Sequence, residues 1–128
     1  MSRIEVPAFG NEEFWMGPVE GVLPSVRFTG TGDMEAAGEL SQFLSLLHEA
    51  VMQSQAKNVV FDITELYFMN SSCLKELVVW INKLNTQGRP YTVSFRTNPR
   101  LKWQSRSLST LQRLAPAVVH LESAGSEP

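Results

Sequence analysis

The chain has 128 residues, 43% of them hydrophobic and 19% charged, which suits one soluble globular domain able to bury a core of its own. A single cysteine, Cys73, excludes an internal disulfide and a cysteine-built metal cluster, and the longest apolar run, Leu77 to Ile81, is too short to span a bilayer. The net charge of −2 divides into an acidic half up to Glu65, ten acidic residues to three basic, and a basic remainder with eight basic to three acidic; without an aromatic-interleaved basic motif or a glycine-rich RNA signature, that remainder reads as a solvated surface and not as a nucleic-acid site.

Residues 1–12 lack the apolar core of a secretory signal, so a cytoplasmic setting is expected. They read as a flexible end, with one domain over residues 13–122 and a flexible tail at 123–128. Glu13 to Gly17 and Ser25 to Thr29 have strand character, separated by the turn-prone Gly17-Pro18 and Gly21. Asp33 is placed to cap a helix, with Glu35 near the positive end of its dipole. Leu40, Phe43, Leu44, Leu47 and Val51 then recur at helical spacing until about Gln55.

Asn58 to Ile63 is almost continuously apolar, the pattern of a central strand covered on both faces. A second helix is expected from about Ser71 to Gln87, with Leu74, Leu77, Val78, Ile81 and Leu84 as its core stripe and Gly88 as its stop. Tyr91 to Arg96 alternates as a strand, and Asn98-Pro99 offers a cap and first turn for a third helix carrying Leu101, Leu108, Leu111 and Leu114. Ala117 to Leu121 closes the series as a short strand, so strands joined by helices give an α/β class.

The joint between the central strand and the second helix, Asn70-Ser71-Ser72, is where the chemistry concentrates. Asparagine and serine are preferred helix caps, and no capping box singles out one of the three. One cap is enough, which leaves a surplus hydroxyl. At about 100° per residue, Ser71, Ser72, Lys75 and Val79 fall opposite the core stripe, facing solvent. Plain capping is the commoner meaning of such residues, and a displayed functional serine is the alternative. A nucleophilic role needs a base, and neither His48 nor His120 carries a signature linking it to Ser71; there is also no G-x-S-x-G elbow. A phosphoacceptor needs only exposure at a place where charge matters, and a phosphate suits a helix N-terminus. Cys73, at the edge of the core stripe, reads as an inert half-buried thiol ahead of a redox one.

The run NVVFDITELYFMNSSCL resembles the STAS domain of anti-sigma factor antagonists, or anti-anti-sigma factors. In that family a strand ending in aspartate leads through an apolar turn to Asp-Ser-x-Gly-Leu at a helix start. Asp62 matches the strand aspartate, Asn70 stands at the motif's aspartate, Ser71 at the phosphorylated serine, Cys73 at the glycine and Leu74 at the leucine. Weaker likeness covers roughly Ser25 to Leu121, and the N-[ST]-S-x-[LI]-K pattern is similar to a divergent STAS-like branch found with partners in biofilm and cyclic-di-GMP signalling.

The resemblance implies a STAS-like α/β domain, a mostly parallel mixed sheet with helices packed on it. It implies a non-enzymatic bacterial regulator without cofactor or metal. Its unphosphorylated form would bind a serine kinase/anti-sigma factor or related regulator, phosphorylation of Ser71 (second choice Ser72) would release that partner, and a PP2C-type phosphatase would reset the switch. Asp33, Asn70, Ser71, Ser72, Lys75 and Val79 form the expected contact surface. The alternatives are a small-ligand sensor that holds a nucleotide at the same helix start, and a non-switching scaffold in which Ser71 is only a cap.

Overall fold

The structure, a computed structural model, describes residues 4–21 and 24–123. In chain order it comprises β1 (Ile4–Val6), β2 (Phe9–Gly10), β3 (Phe14–Met16), β4 (Val19–Gly21), β5 (Ser25–Gly32), α1 (Ala36–Ser54), β6 (Asn58–Met69), α2 (Ser71–Thr86), β7 (Thr92–Thr97), α3 (Lys102–Leu114) and β8 (Val119–Ser123). The main sheet has six strands in the order β2-β3-β5-β6-β7-β8. β2, β3 and β5 pair antiparallel, while β5, β6, β7 and β8 run parallel. β1 and β4 form a separate antiparallel pair. The result is an α/β domain with a mixed, mostly parallel sheet.

The expected flexible N-terminus is corrected from Ile4 onward. Ile4 and Val6 are buried in the core, and β2 extends the sheet beyond β3. Short apolar residues spaced two apart were too few to register as strands until β4 and β3 supplied partners. Ser123 ends β8, so the tail expectation at 123–128 lies otherwise outside the described residues.

Each of α1, α2 and α3 links a parallel strand to its immediate neighbour, always stepping in the same direction across the sheet. Right-handed crossovers therefore place all three on one face. The core forms between them: Phe61 of β6 stacks on Trp80 of α2 with ring centroids 5.3 Å apart, and also meets Phe28 of β5 and Phe95 of β7.

Covering β6 on both faces was the expectation, and it is corrected. Val59, Phe61 and Ile63 are buried, whereas Asn58, Val60, Asp62 and Thr64 point to a face without helices. β5 alternates in the same way from Ser25 to Phe28, whereas in β7 Ser94 is buried along with Val93 and Phe95 and only Arg96 is exposed. β6 also runs on to Met69, with irregular register against β5 between Arg27 and Thr29 and between Gly30 and Thr31. The apolar turn implied by the resemblance is thus the irregular end of a strand. Gln104, wholly buried in α3, holds that end: its Nε2 donates to the carbonyls of Ile63 and Leu66 at 2.7 and 2.9 Å, and its Oε1 accepts from Asn98 N at 2.7 Å.

α3 begins at Lys102 and not at Asn98-Pro99; Asn98 instead closes a turn ahead of the helix, its Oδ1 accepting from Arg100 N while its Nδ2 donates to Thr64 O. α2 ends at Thr86, and Gly88, with φ 86°, turns the chain where a stop was expected. Val78 is corrected from core to surface. Cys73 and Trp80 are buried, and at about 100° per residue their inclusion rotates the stripe away from Val78.

Candidate functional site

The C-terminal ends of β5 and β6 lie side by side, Gly32 in register with Met69, and each leads into a helix. Parallel strands on one side of a sheet bring their helix N-termini to a common edge, the usual position for sites in α/β folds. Here that edge joins Asp33 to Asn70-Ser71-Ser72, thirty-seven positions away in sequence at the nearest.

Three contacts knit the two starts together or cap them. Asn70 N donates to Gly32 O at 2.8 Å, and the Cys73 thiol donates to Asp33 O at 3.3 Å. Asn70 Oδ1 accepts from Cys73 N at 3.1 Å, which makes Asn70 the cap of α2. On the α1 side, Asp33 Oδ1 accepts from Glu35 N at 3.0 Å and Ala36 N at 3.2 Å, so its carboxylate closes the turn that opens the helix.

With Asn70 as the cap, the serines are released from that duty. Ser71 is exposed and Ser72 half-buried, and neither hydroxyl bonds to a described residue. The amides of Ser71 and Ser72 are also without partners among the described residues, as expected for the first turn of a helix. Lys75 is exposed one turn on, and Val79 stands 42% exposed beyond it. No acidic residue occupies the first turn of α2. An exposed hydroxyl, two free amides, the positive end of a sixteen-residue helix and a lysine form an environment suited to an anion.

Cys73 is fully buried, beyond the half-burial expected. Burial pushes its thiol up to about 11, with the Asp33 and Glu76 carboxylates adding to the effect. A thiol so held is neutral and shielded, the opposite of an activated one. The helix N-terminus would lower its pKa, but removal from water outweighs that. The histidines sit elsewhere: His48 Nδ1 meets the Tyr91 hydroxyl at 2.7 Å, and burial holds the imidazole below its ordinary value. His120 is exposed on β8, in register with Ser94. No group of three or more histidine, cysteine or acidic side chains among the described residues is arranged to hold a metal, and no described helix is long and apolar enough to cross a membrane.

Sequence reasoning missed the apolar residues around this edge. Met34, next to Asp33, is 72% exposed, and Phe68, two residues before Asn70, is about half exposed. Val78 joins Val79 on the outer side of α2. The detectable signal was phase: Tyr67 and Phe68 break the alternation of β6, and the bulges turn both outward.

No family model matches the sequence, and no curated protein sequence matches it. Among solved structures, SiaC of Pseudomonas aeruginosa superposes with a TM-score of 0.56 at 14% identity, over 96% of this chain and 99% of that one. At that identity the likeness is one of architecture, and with the element order above it identifies the fold as α/β and STAS-like.

Proposed function

We propose that this chain is a non-enzymatic, switchable protein-binding module of a bacterial signalling system, with Ser71 as its phosphoacceptor. The observation that carries the reading is the pairing of roles at the start of α2: Asn70 supplies the cap, so the exposed Ser71 hydroxyl has no structural duty. The unphosphorylated surface, in which Val78 and Val79 lie with Lys75 on the same exposed side of α2 as Ser71, offers a protein partner apolar area to bury. By the STAS resemblance, that partner is a serine kinase/anti-sigma factor or a related regulator, and a PP2C-type phosphatase reverses the modification.

A phosphoryl group adds roughly 1.5–2 negative charges. At the helix start those charges meet free amides and the dipole, so the fold tolerates them. A docked partner would have to desolvate them, and each 1.4 kcal/mol of that cost weakens binding about tenfold. Release without unfolding is the consequence.

The test is phosphosite mapping of the chain recovered from its own cells with phosphatases inhibited, together with quantitative capture by wild-type, Ser71→Ala and Ser71→Asp baits. Phosphate on Ser71, and a partner retained by wild type and Ser71→Ala but lost by Ser71→Asp, is the expected result. A chain unmodified under every growth condition, with identical partners on all three baits, would reduce Ser71 to a surface residue of a scaffold. Calorimetry with ATP and GTP is expected to be silent; binding heat would favour a nucleotide sensor at the same amides.

A further inference from the structure

The face of the sheet opposite the helices carries a charge pattern that the helix-edge site does not use. Arg27 of β5, Asp62 of β6, Arg96 of β7 and Glu122 of β8 are successive register neighbours. Side chains in lateral register share a face, and this face is the uncovered one: Arg27, Arg96 and Glu122 are exposed and Asp62 is half-buried. The row thus reads plus, minus, plus, minus across four strands. Arg27 pairs with Glu65, and this is the one ion pair among the described residues. Arg96 lies in register between two carboxylates and closes onto neither.

An alternating row with an even number of charges has a specific property. Turned over about a two-fold axis parallel to the strands, it becomes its own complement. Arg27 then faces Glu122 of the second copy, and Asp62 faces Arg96 of the second copy, each pair occurring twice. An odd row, or one with like signs in the middle, would set equal charges against each other. The adjacent row, Ser25, Val60, Ser94 and His120, has nothing larger than a valine at its centre, compatible with two sheets about 10 Å apart.

We propose that this open face is a homodimer interface, two copies meeting sheet to sheet about a two-fold axis that runs between β6 and β7. A second copy is favoured over a foreign partner because the self-complementary sign order is a property that only two-fold symmetry uses. Four strands about 4.8 Å apart and six residues long present roughly 400 Å² of face per copy, about half of a standard interface. The dimer is therefore weak and dependent on low ionic strength.

Sedimentation velocity on the full chain from about 10 μM to 1 mM tests it, at salt concentrations a few-fold below and above physiological. Wild type is expected to dimerise with concentration, with the dissociation constant rising about tenfold or more between the two salts. Arg96→Glu alone and Asp62→Lys alone each place like charges opposite one another and give monomers. Their equimolar mixture restores opposite signs at all four positions and gives a heterodimer, which no effect on the folding of either chain can produce. Asp62 also accepts bonds from Thr64 N and Thr64 Oγ1, so Arg27→Glu mixed with Glu122→Lys repeats the test with that site intact. A wild type monomeric at 1 mM in low salt, a dimer indifferent to the reversals, or mixtures that stay monomeric in both pairs would each overturn the proposal. Dimerisation is independent of Ser71, so its failure leaves the switch untouched, and the reverse holds as well.

Discussion

Helices α1 and α2 begin side by side at the ends of neighbouring parallel strands, yet their starts differ in charge. The α1 start is closed by the Asp33 carboxylate, and Glu35 and Glu39 follow it. With Glu13 these side chains line an acidic hollow. The α2 start is closed by the neutral amide of Asn70, has no acid in its first turn and leads to Lys75. A new anion at α1 would meet carboxylates; at α2 it meets free amides and the dipole. A neutral cap is what leaves the second start able to respond to a change of charge.

The comparison breaks most severely through the strand that delivers α2. Gln104→Leu leaves Ile63 O, Leu66 O and Asn98 N without their partner in the interior. A loss of about 3 kcal/mol or more is expected in urea unfolding, whereas an exposed control such as Gln53→Leu on α1 should move stability by under about 0.5 kcal/mol.

Cys73 ties the two starts together, and its titration comes next. Its folded pKa is raised to about 11 from 9.0, so the neutral thiol is the form that favours folding. The stability it contributes is present below about pH 9 and is lost as pH rises toward 11. Chemical denaturation from about pH 7 to pH 10, below the range in which the buried Tyr91 hydroxyl adds its own decline, should show that loss, and Cys73→Ala should reduce it. In the folded chain near pH 8 the thiol should resist Ellman's reagent until denaturant is added.

Smaller changes sharpen the contrast itself. Asn70→Ala should cost about 1 kcal/mol by removing the cap. Asn70→Asp should keep the cap, gain roughly 0.3–1 kcal/mol from the dipole and make the α2 start electrostatically like that of α1. On the proposed switch, that variant would bind the partner less well before any phosphorylation. The smallest effect is that of Ser71→Asp on stability alone: a gain of a few tenths of a kcal/mol up to about 1 at pH 7. A carboxylate favoured at the helix start has a depressed folded pKa, so the gain is present above the unfolded value near 4 and fades as pH falls. Thermal melts at pH 7 and pH 3 would check both sign and window.

Much of the fold was legible residue by residue. The spacing of Leu40, Phe43, Leu44, Leu47 and Val51 places α1, and these residues are all buried. Asn70-Ser71-Ser72 marks the start of α2. Val78 was misassigned because the apolar pattern of α2 continues round the helix, and only the packing of Trp80 on Phe61 sets its rotation. β1, β2 and β4, the last lying where only a turn-prone separator was expected, were missed because strands of two or three residues carry almost no period. Asp33 and Asn70-Ser71-Ser72 could be named from the sequence as the starts of two helices, whereas the exposure of Met34 and Phe68 near the same strand ends could not.

The amino-acid sequence by itself determined where most elements lie and that α2 opens at Asn70-Ser71-Ser72, because period and capping preference are local properties of a few consecutive residues; which of the three caps the helix was settled by the structure. Tertiary structure alone decided that Asp33 stands next to Cys73, that β6 shows one face to solvent and that four charges align across β5, β6, β7 and β8. Strand register joins residues tens of positions apart, and nothing in the local pattern of either strand specifies what will lie beside it.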